Sequence, residues 1–393
     1  MSTKPIDPIA AVTHPNPYPF YASLVDEKPL YYDEALDLWI ASSAEAVTAV
    51  LNSELCRVRP TAEPIPPVLV GTTAGKIFGA LVRMNDGRGH CPLKKAVSTT
   101  LDNLDLSTVF EMSLRHAQTL TGQYSPHRLT DLAFALPAYV IANLLGVPDP
   151  YLAQIASWMA DFVYCLSPIS TSEQIEAGKQ AADRLFDLFT TLLIQQQTQN
   201  TSSLLVHLSQ SLSQQGITDS RFAIANATGF ISQSYEATAG LIGNSLLALA
   251  RYPDVHQAIV ADMSLLGHFV AEVVRFDSPV QNTRRFLSRE GIVATQTMQT
   301  GDAILVLLAA ANRDPAIHPQ SNTFDMHRQN SQCYTFGSGV HACPGQSIAE
   351  VITRAALQQL ISSGLDVSSL PKSASYRLST NTRIPLLNEE KSL

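Results

Sequence analysis

Phe336-Gly337-Ser338-Gly339-Val340-His341-Ala342-Cys343-Pro344-Gly345 is the stretch whose reading decides this sequence. Glycines at 337, 339 and 345 permit backbone angles that other residues avoid and let the chain approach a flat ligand closely. From Gly345 to Ser362 the apolar spacing predicts a helix, with Gly364 as its stop. The loop therefore delivers Cys343 just before a helix N-terminus. Amides at such an end stabilise negative charge, which lowers a thiol's pKa and favours the thiolate.

A free cysteine is often only a small buried hydrophobe. Cys333, His341 and Cys343 also suggest zinc, although there is no paired C-x-x-C spacing and no fourth ligand stands out. A thiolate is, equally, the axial ligand that pushes electron density onto haem iron and favours O–O cleavage. The loop resembles that of the cytochrome P450 family, F-G-x-G-x-H-x-C-x-G, with every fixed residue present. The resemblance implies a mainly α fold with small β-sheets, haem lying between a long distal helix and the cysteine loop. It implies haem b (iron protoporphyrin IX) with Cys343 as the iron ligand, and Phe336, Gly337 and Gly345 among the residues that bind it.

Working outward, Glu272-Val273-Val274-Arg275 puts a carboxylate and a guanidinium on one helix face, where they can pair. The family carries E-x-x-R well before its cysteine and completes the pair with an arginine from an irregular loop; Arg328 matches that place. The implied role is a buried ion-pair network, since a buried arginine needs partners. Ser278-Pro279-Val280-Gln281 leads to Arg285, matching a family run whose arginine meets a haem propionate. His341 is a second candidate anchor. His90 and Lys94 fall where the family has H-x-x-x-R, with lysine keeping the charge but losing bidentate geometry. Asn312-Arg313-Asp314-Pro315 also matches bacterial members, so the resemblance spans essentially the whole chain.

The pattern breaks on the oxygen side. Relatives carry A-G-x-[DE]-T-T, then a run similar to A-N-L-I-G-N. Here Gln233-Ser234-Tyr235-Glu236-Ala237-Thr238 precedes Ala239-Gly240-Leu241-Ile242-Gly243-Asn244. Glu236 takes the acid position, but Ala237 replaces the threonine credited with guiding protons. Thr238 lies about 100° further round the helix. Gln233 and Ser234 replace two small residues. Two readings follow: tolerated drift with water relaying protons from Glu236, or altered oxygen activation in which Ser234, Gln233 or the substrate donates the hydrogen bonds.

The wider chain sets limits. Its 393 residues are 45% hydrophobic and carry a net charge of −8, which argues against a nucleic-acid binder. No apolar run reaches membrane-spanning length; Ala303 to Ala311 is too short. The proline-broken N-terminus does not read as a signal peptide, so a cytoplasmic location is expected. The five cysteines are odd in number and irregularly spaced, unlike a disulfide framework. Helical spacing marks Leu132 to Leu145, with Pro137 expected to start or kink it, and also Ala177 to Leu193 and Val255 to Phe276. The longest helix should run from about Asp219 to Arg251, with Thr218 or Asp219 as N-cap and Tyr252-Pro253 as terminator. β-like segments lie near Leu30 to Ile40, Asn282 to Gln299 and Tyr376 to Leu387. Asn312 to Tyr334 reads as an irregular packed loop. We find neither repeats nor linkers, so residues 1–393 read as one haem-binding domain.

The expected activity is a haem-thiolate monooxygenase acting on a small organic substrate. Its pocket should draw on roughly Ile65 to Met84, Phe230 to Glu236, Asn282 to Arg284 and Leu378 to Thr382, with Arg284 pointing outward. No flavin or iron–sulfur module is present, so electrons should come from ferredoxin and ferredoxin reductase or similar donors. Arg88, Lys94 and Lys95 read equally as a basic dock for an acidic ferredoxin and as a solvated face. A monomer without membrane span is expected. The rivals are peroxide-driven, substrate-assisted or non-hydroxylating haem-thiolate chemistry, and a haem-binding sensor without catalysis.

Overall fold

Asp219 accepts the N–H of Arg221 at 2.9 Å and so starts the longest helix, Ser220–Arg251. Tyr252 ends it, because Pro253 already opens the next helix, Pro253–Ala261. Apolar and small residues surround most of its circumference, which makes it a central helix with Leu129–Leu144, Thr73–Ala80 and Gln346–Ser362 packed about it. This is a computed structural model; it describes residues 4–124, 128–329, 332–371 and 374–387. Helices dominate those residues, and small sheets accompany them.

Two helical expectations change. Of the two effects expected of Pro137, the start is set aside: Leu129–Leu144 runs through it and keeps the proline inside the helix. Its residues are buried on nearly all sides, and that packing offsets the roughly 3 kcal/mol that an interior proline costs. The run from Val255 to Phe276 is two helices, not one, bent by 119° between Pro253–Ala261 and the segment from Met263. Asp262 accepts the Ser264 N–H at 3.0 Å, capping a new start that the apolar spacing conceals. Among the described residues no single helix is long and apolar enough to cross a membrane, and only this bent pair reaches that length when joined.

The main sheet joins β1 (Leu30–Asp33), β2 (Leu38–Ala41), β3 (Cys56–Arg57), β4 (Thr283–Leu287) and β7 (Ala303–Val306) in the order β1-β2-β7-β4-β3. Within it β2 and β7 are parallel and the other pairings antiparallel. A separate hairpin pairs β5 (Gly291–Val293) with β6 (Gln296–Met298). The unbroken apolar run of β7 fits its central place, since a strand covered on both faces need not alternate. Tyr376 to Leu387 is not a strand: only the bridges Val280–Thr382 and Tyr376–Pro385 form. Pro385 has no N–H to give a ladder. The C-terminal part of Gln346–Ser362 stops as expected. Gly364 takes φ +82°, and Leu365 N–H reaches back to Leu360 O at 3.1 Å, a Schellman closure.

Candidate haem-thiolate site

The cysteine loop is closed on itself by backbone hydrogen bonds. Gly337 N–H donates to Tyr334 O at 2.7 Å, and Cys343 N–H donates to Phe336 O at 2.8 Å. Gly337 turns with φ +72°, which its missing Cβ permits. Cys343 presents its thiol to a cavity of about 710 Å³, within the roughly 300–1,000 Å³ usual for ligand sites. The residue is accessible there although it lies deep in the protein. Burial raises the thiol's pKa and outweighs the Gly345 N–H and Lys94, which pull it down, so the helix end alone does not lower it as expected. A Cβ on Gly345 would stand 3.8 Å from the sulfur, so glycine keeps the ground beside it open.

Lys94 is partly buried and donates to the carbonyl of Ala342, next to the cysteine. His90, one turn earlier on helix Gly87–Asp102, packs against His341 with ring centroids 4.3 Å apart. Burial first, then the nearby His341 and Lys94, lower its pKa to about 4, so its imidazole is neutral near pH 7. His341 Nε2 lies 3.1 Å from Asp86 Oδ1. Burial would raise the Asp86 carboxyl, but the His341 contact and the Val58 N–H outweigh it and hold it low. Arg285, on β4, is buried at the cavity wall, with Nη1 bonded to Thr283 Oγ1 and to Arg284 O.

The segment behind the loop is held by the residues that the sequence brought forward. Arg275 Nε and Nη2 donate to both oxygens of Glu272, at 2.9 and 2.6 Å. Its Nη1 donates to Asn312 O and Ser321 O. Arg328 Nε stands 3.5 Å from Glu272 Oε2, and its Nη groups donate to Pro319 O, Gln320 O and Thr323 O. Asn312 carries the constraint onward: its Oδ1 accepts the Tyr334 N–H and its Nδ2 donates to Ser278 and Thr335 hydroxyls. A chain of bonds thus links helix Leu266–Phe276 to the entry of the cysteine loop.

Across the cavity stands Ser220–Arg251. Gln233 Nε2 donates to Gly229 O at 2.9 Å and Ser234 Oγ donates to Ile231 O at 3.0 Å, so both side chains bond to their own helix. Thr238 is fully buried, and its hydroxyl has no partner among the described residues. Glu236 Oε1 pairs with Arg377 Nη1 at 3.2 Å. Burial pushes the Glu236 carboxyl up, opposed by Arg377 and Arg83. Gln233, Ser234, Glu236, Ala237 and Thr238 all border the same cavity as Cys343.

A family model, Cytochrome P450, matches residues 152–364, more than half of the chain. The chain belongs to the cytochrome P450 family. It is similar to Biotin biosynthesis cytochrome P450 of Bacillus subtilis (strain 168), 25% identical over 353 residues that cover 88% of each chain. Cytochrome P450 monooxygenase PikC of Streptomyces venezuelae is 28% identical over 362 residues, 88% of this chain and 83% of that one. The solved structure of P450BioI, in complex with hexadec-9Z-enoic acid ligated acyl carrier protein, superposes with a TM-score of 0.82. That match is 24% identical and covers 94% of this chain and 97% of the other.

This P450 is therefore an oxidoreductase that binds haem b, and the donor set fits it: one thiol facing a roomy cavity, with cations around the rim. The residues expected from sequence converge on that cavity, apart from the Glu272, Arg275 and Arg328 network, which lies behind it. One expectation is corrected. Lys94 turns inward to Ala342, leaving Arg88 and Lys95 exposed as the cationic pair on that face. Arg284, expected to point outward, is exposed but borders the cavity. Among the described residues no three His, Cys, Asp or Glu side chains gather to hold a metal ion, so the Cys333–His341–Cys343 zinc reading has no support.

Sequence reasoning missed Asp86 and Arg377, and it placed Arg83 only within the pocket segment Ile65 to Met84 without singling it out. Asp86 directly precedes helix Gly87–Asp102, but its carboxylate bonds the Val58 N–H and His341 instead of capping that helix, so no local signal marks its role. Arg83 lies in a three-residue 3-10 turn and Arg377 outside any helix or strand, so neither announces itself through a period.

Proposed function

We propose that this P450 is a monooxygenase that inserts one oxygen atom of dioxygen into a small organic substrate, with electrons from a separate ferredoxin and its reductase. The observation that carries the reading is a thiol on a glycine-rich loop facing a cavity whose opposite wall is the long helix. Haem, when bound, would be held by the Cys343 thiolate and would supply the redox chemistry that activates oxygen. The Gly345 N–H and Lys94 stabilise that thiolate. Arg285, His341 and Lys94 would hold the propionates, and His90, neutral near pH 7, would serve as a hydrogen-bonding partner rather than a cation. Phe336 and Gly337 shape the loop beneath. Glu236, whose pair with Arg377 fixes where its carboxyl points, would relay protons into the cavity. Gln233 and Ser234 spend donor hydrogens on helix carbonyls, so ordered water is the better carrier between Glu236 and the reacting centre. Arg88 and Lys95 supply the positive surface for an acidic electron donor.

The experiment is an absorption spectrum of the purified protein, reduced and exposed to carbon monoxide. A strongly red-shifted Soret band is expected, and it should vanish in Cys343→Ala. A thiolate-type band that persists in that variant would overturn the ligand assignment. Product formation with NAD(P)H and a surrogate ferredoxin pair then separates a monooxygenase from a sensor, and turnover with peroxide alone identifies the peroxide-driven alternative.

A further inference from the structure

Charges around the cavity do not balance. Arg83, Lys94, Arg284, Arg285 and Arg377 border it, against Glu236 as the lone carboxylate. Glu236 is taken by Arg377, whose guanidinium also packs on the rings of Phe134 and Tyr164, each 5.0 Å away. Lys94 and Arg285 belong with the two propionates on the proposed reading. Arg284 keeps an exposed position at the edge of β4.

Arg83 is different. Its guanidinium makes no hydrogen bond or ion pair among the described residues. It shows a large accessible surface, yet burial lowers its basicity, because the surface it shows is the cavity wall. Glu236 is near enough to be felt but does not contact it.

The backbone that carries Arg83 is held firmly. It lies in a short 3-10 turn, Val82–Met84. Asn226, from the long helix, accepts the Val82 N–H at 2.9 Å and donates to Ala80 O at 3.0 Å. Asn85 closes the other side with bonds to Gly79 O and Leu81 O. A fixed turn carrying an unpaired guanidinium at the wall of a largely apolar cavity is a built anion anchor, since a charge-assisted hydrogen bond to a carboxylate is strong and directional.

We propose that this P450 takes an organic acid, with Arg83 binding the substrate carboxylate and so setting which carbon faces the haem. The proposal rests on the haem-thiolate reading of the cavity and deepens it. Arg83 acts as a specificity residue, and the chemistry stays at the thiolate-ligated centre.

The test is calorimetric titration of the ferric, haem-loaded protein at neutral pH with matched probes. These are decanoate against decanol, and hydrocinnamate against hydrocinnamyl alcohol. At least one acid should bind roughly ten- to hundredfold more tightly than its alcohol, the factor a charge-assisted hydrogen bond supplies. Arg83→Gln should reduce that ratio to near unity, with alcohol binding little changed, and Arg83→Lys should restore part of it. Acids that bind no better than alcohols, or do not bind, overturn the proposal. So does an Arg83→Gln protein that keeps the ratio, or one that loses haem instead, which would assign Arg83 to a propionate. The carbon monoxide spectrum is recorded on the same samples. A missing thiolate band defeats the haem-thiolate reading, whereas a normal band with no acid preference defeats only the anchor.

Discussion

At the scale of single residues, the departure at Ala237 carries most consequence. The position faces the cavity beside Glu236, and the neighbouring Thr238 hydroxyl is buried in packing. A hydroxyl introduced at 237 would therefore stand where none now reaches. Ala237→Thr is expected to raise the fraction of electrons that appear as product by a few-fold, a modest part of what a positioned proton donor contributes. Product formed per NAD(P)H consumed measures it; an unchanged ratio would show that water already carries the protons. Glu272 makes a structural counterpart. It is 4% exposed and faces Arg275 and Arg328, so Glu272→Gln leaves buried guanidinium charge without its carboxylate. The expected cost is about 3–5 kcal/mol. Urea unfolding of the haem-loaded protein should show it, together with faster haem loss, because Asn312 relays the network to the cysteine loop.

Among elements, the long helix depends on glycines where other chain segments press against it. A Cβ on Gly243 would meet the Pro385 ring at 2.6 Å, and the ring cannot rotate aside. A Cβ on Gly229 would also meet an atom at 2.6 Å, but that atom is the movable end of Leu81. Gly243→Ala should therefore destabilise by about 1–3 kcal/mol. Gly229→Ala should cost less, since the helical preference of alanine offsets up to about 1 kcal/mol. Parallel urea titrations of the two variants decide it, and equal losses would refute the argument. These elements also show what a sequence discloses. Asp219, Tyr252-Pro253 and Gly364 are local signals, so the ends of two helices were legible. The break at Asp262 was hidden because apolar spacing continues on both sides of it. The cysteine loop was legible because its chemistry is contiguous. The Glu236–Arg377 and His341–Asp86 pairs were not, because each joins segments that meet only after the chain has folded.

For the molecule as a whole, the junction that holds the chain's two ends together is Asp277. Its Oδ1 accepts from Arg383 Nε at 2.9 Å and from the Tyr18 hydroxyl at 2.5 Å, while Oδ2 lies 3.6 Å from Arg251. Arg383 in turn donates to Val12 O, His14 O and Pro15 O, and stacks on Tyr376. One carboxylate thus ties an N-terminal segment, the end of the long helix and the C-terminal segment. Burial alone would push this carboxyl up, but Arg383, the Tyr18 hydroxyl, Arg251 and Arg313 outweigh it and hold it below the ordinary value. A folded-state pKa below the unfolded one means that unfolding takes up protons as pH falls. The contribution is therefore complete above the unfolded carboxylate value of about 3.9, and it is lost as pH drops through the lower folded value. Asp277→Asn should cost about 3–5 kcal/mol at neutral pH, since it strands the buried Arg383. The difference between wild type and variant should then shrink along an acid titration below that carboxylate value. Urea midpoints measured for both proteins from neutral to acid pH test this directly. A gap that stays constant below the unfolded carboxylate value would mean that Asp277 acts by packing and hydrogen bonding alone, not by its charge.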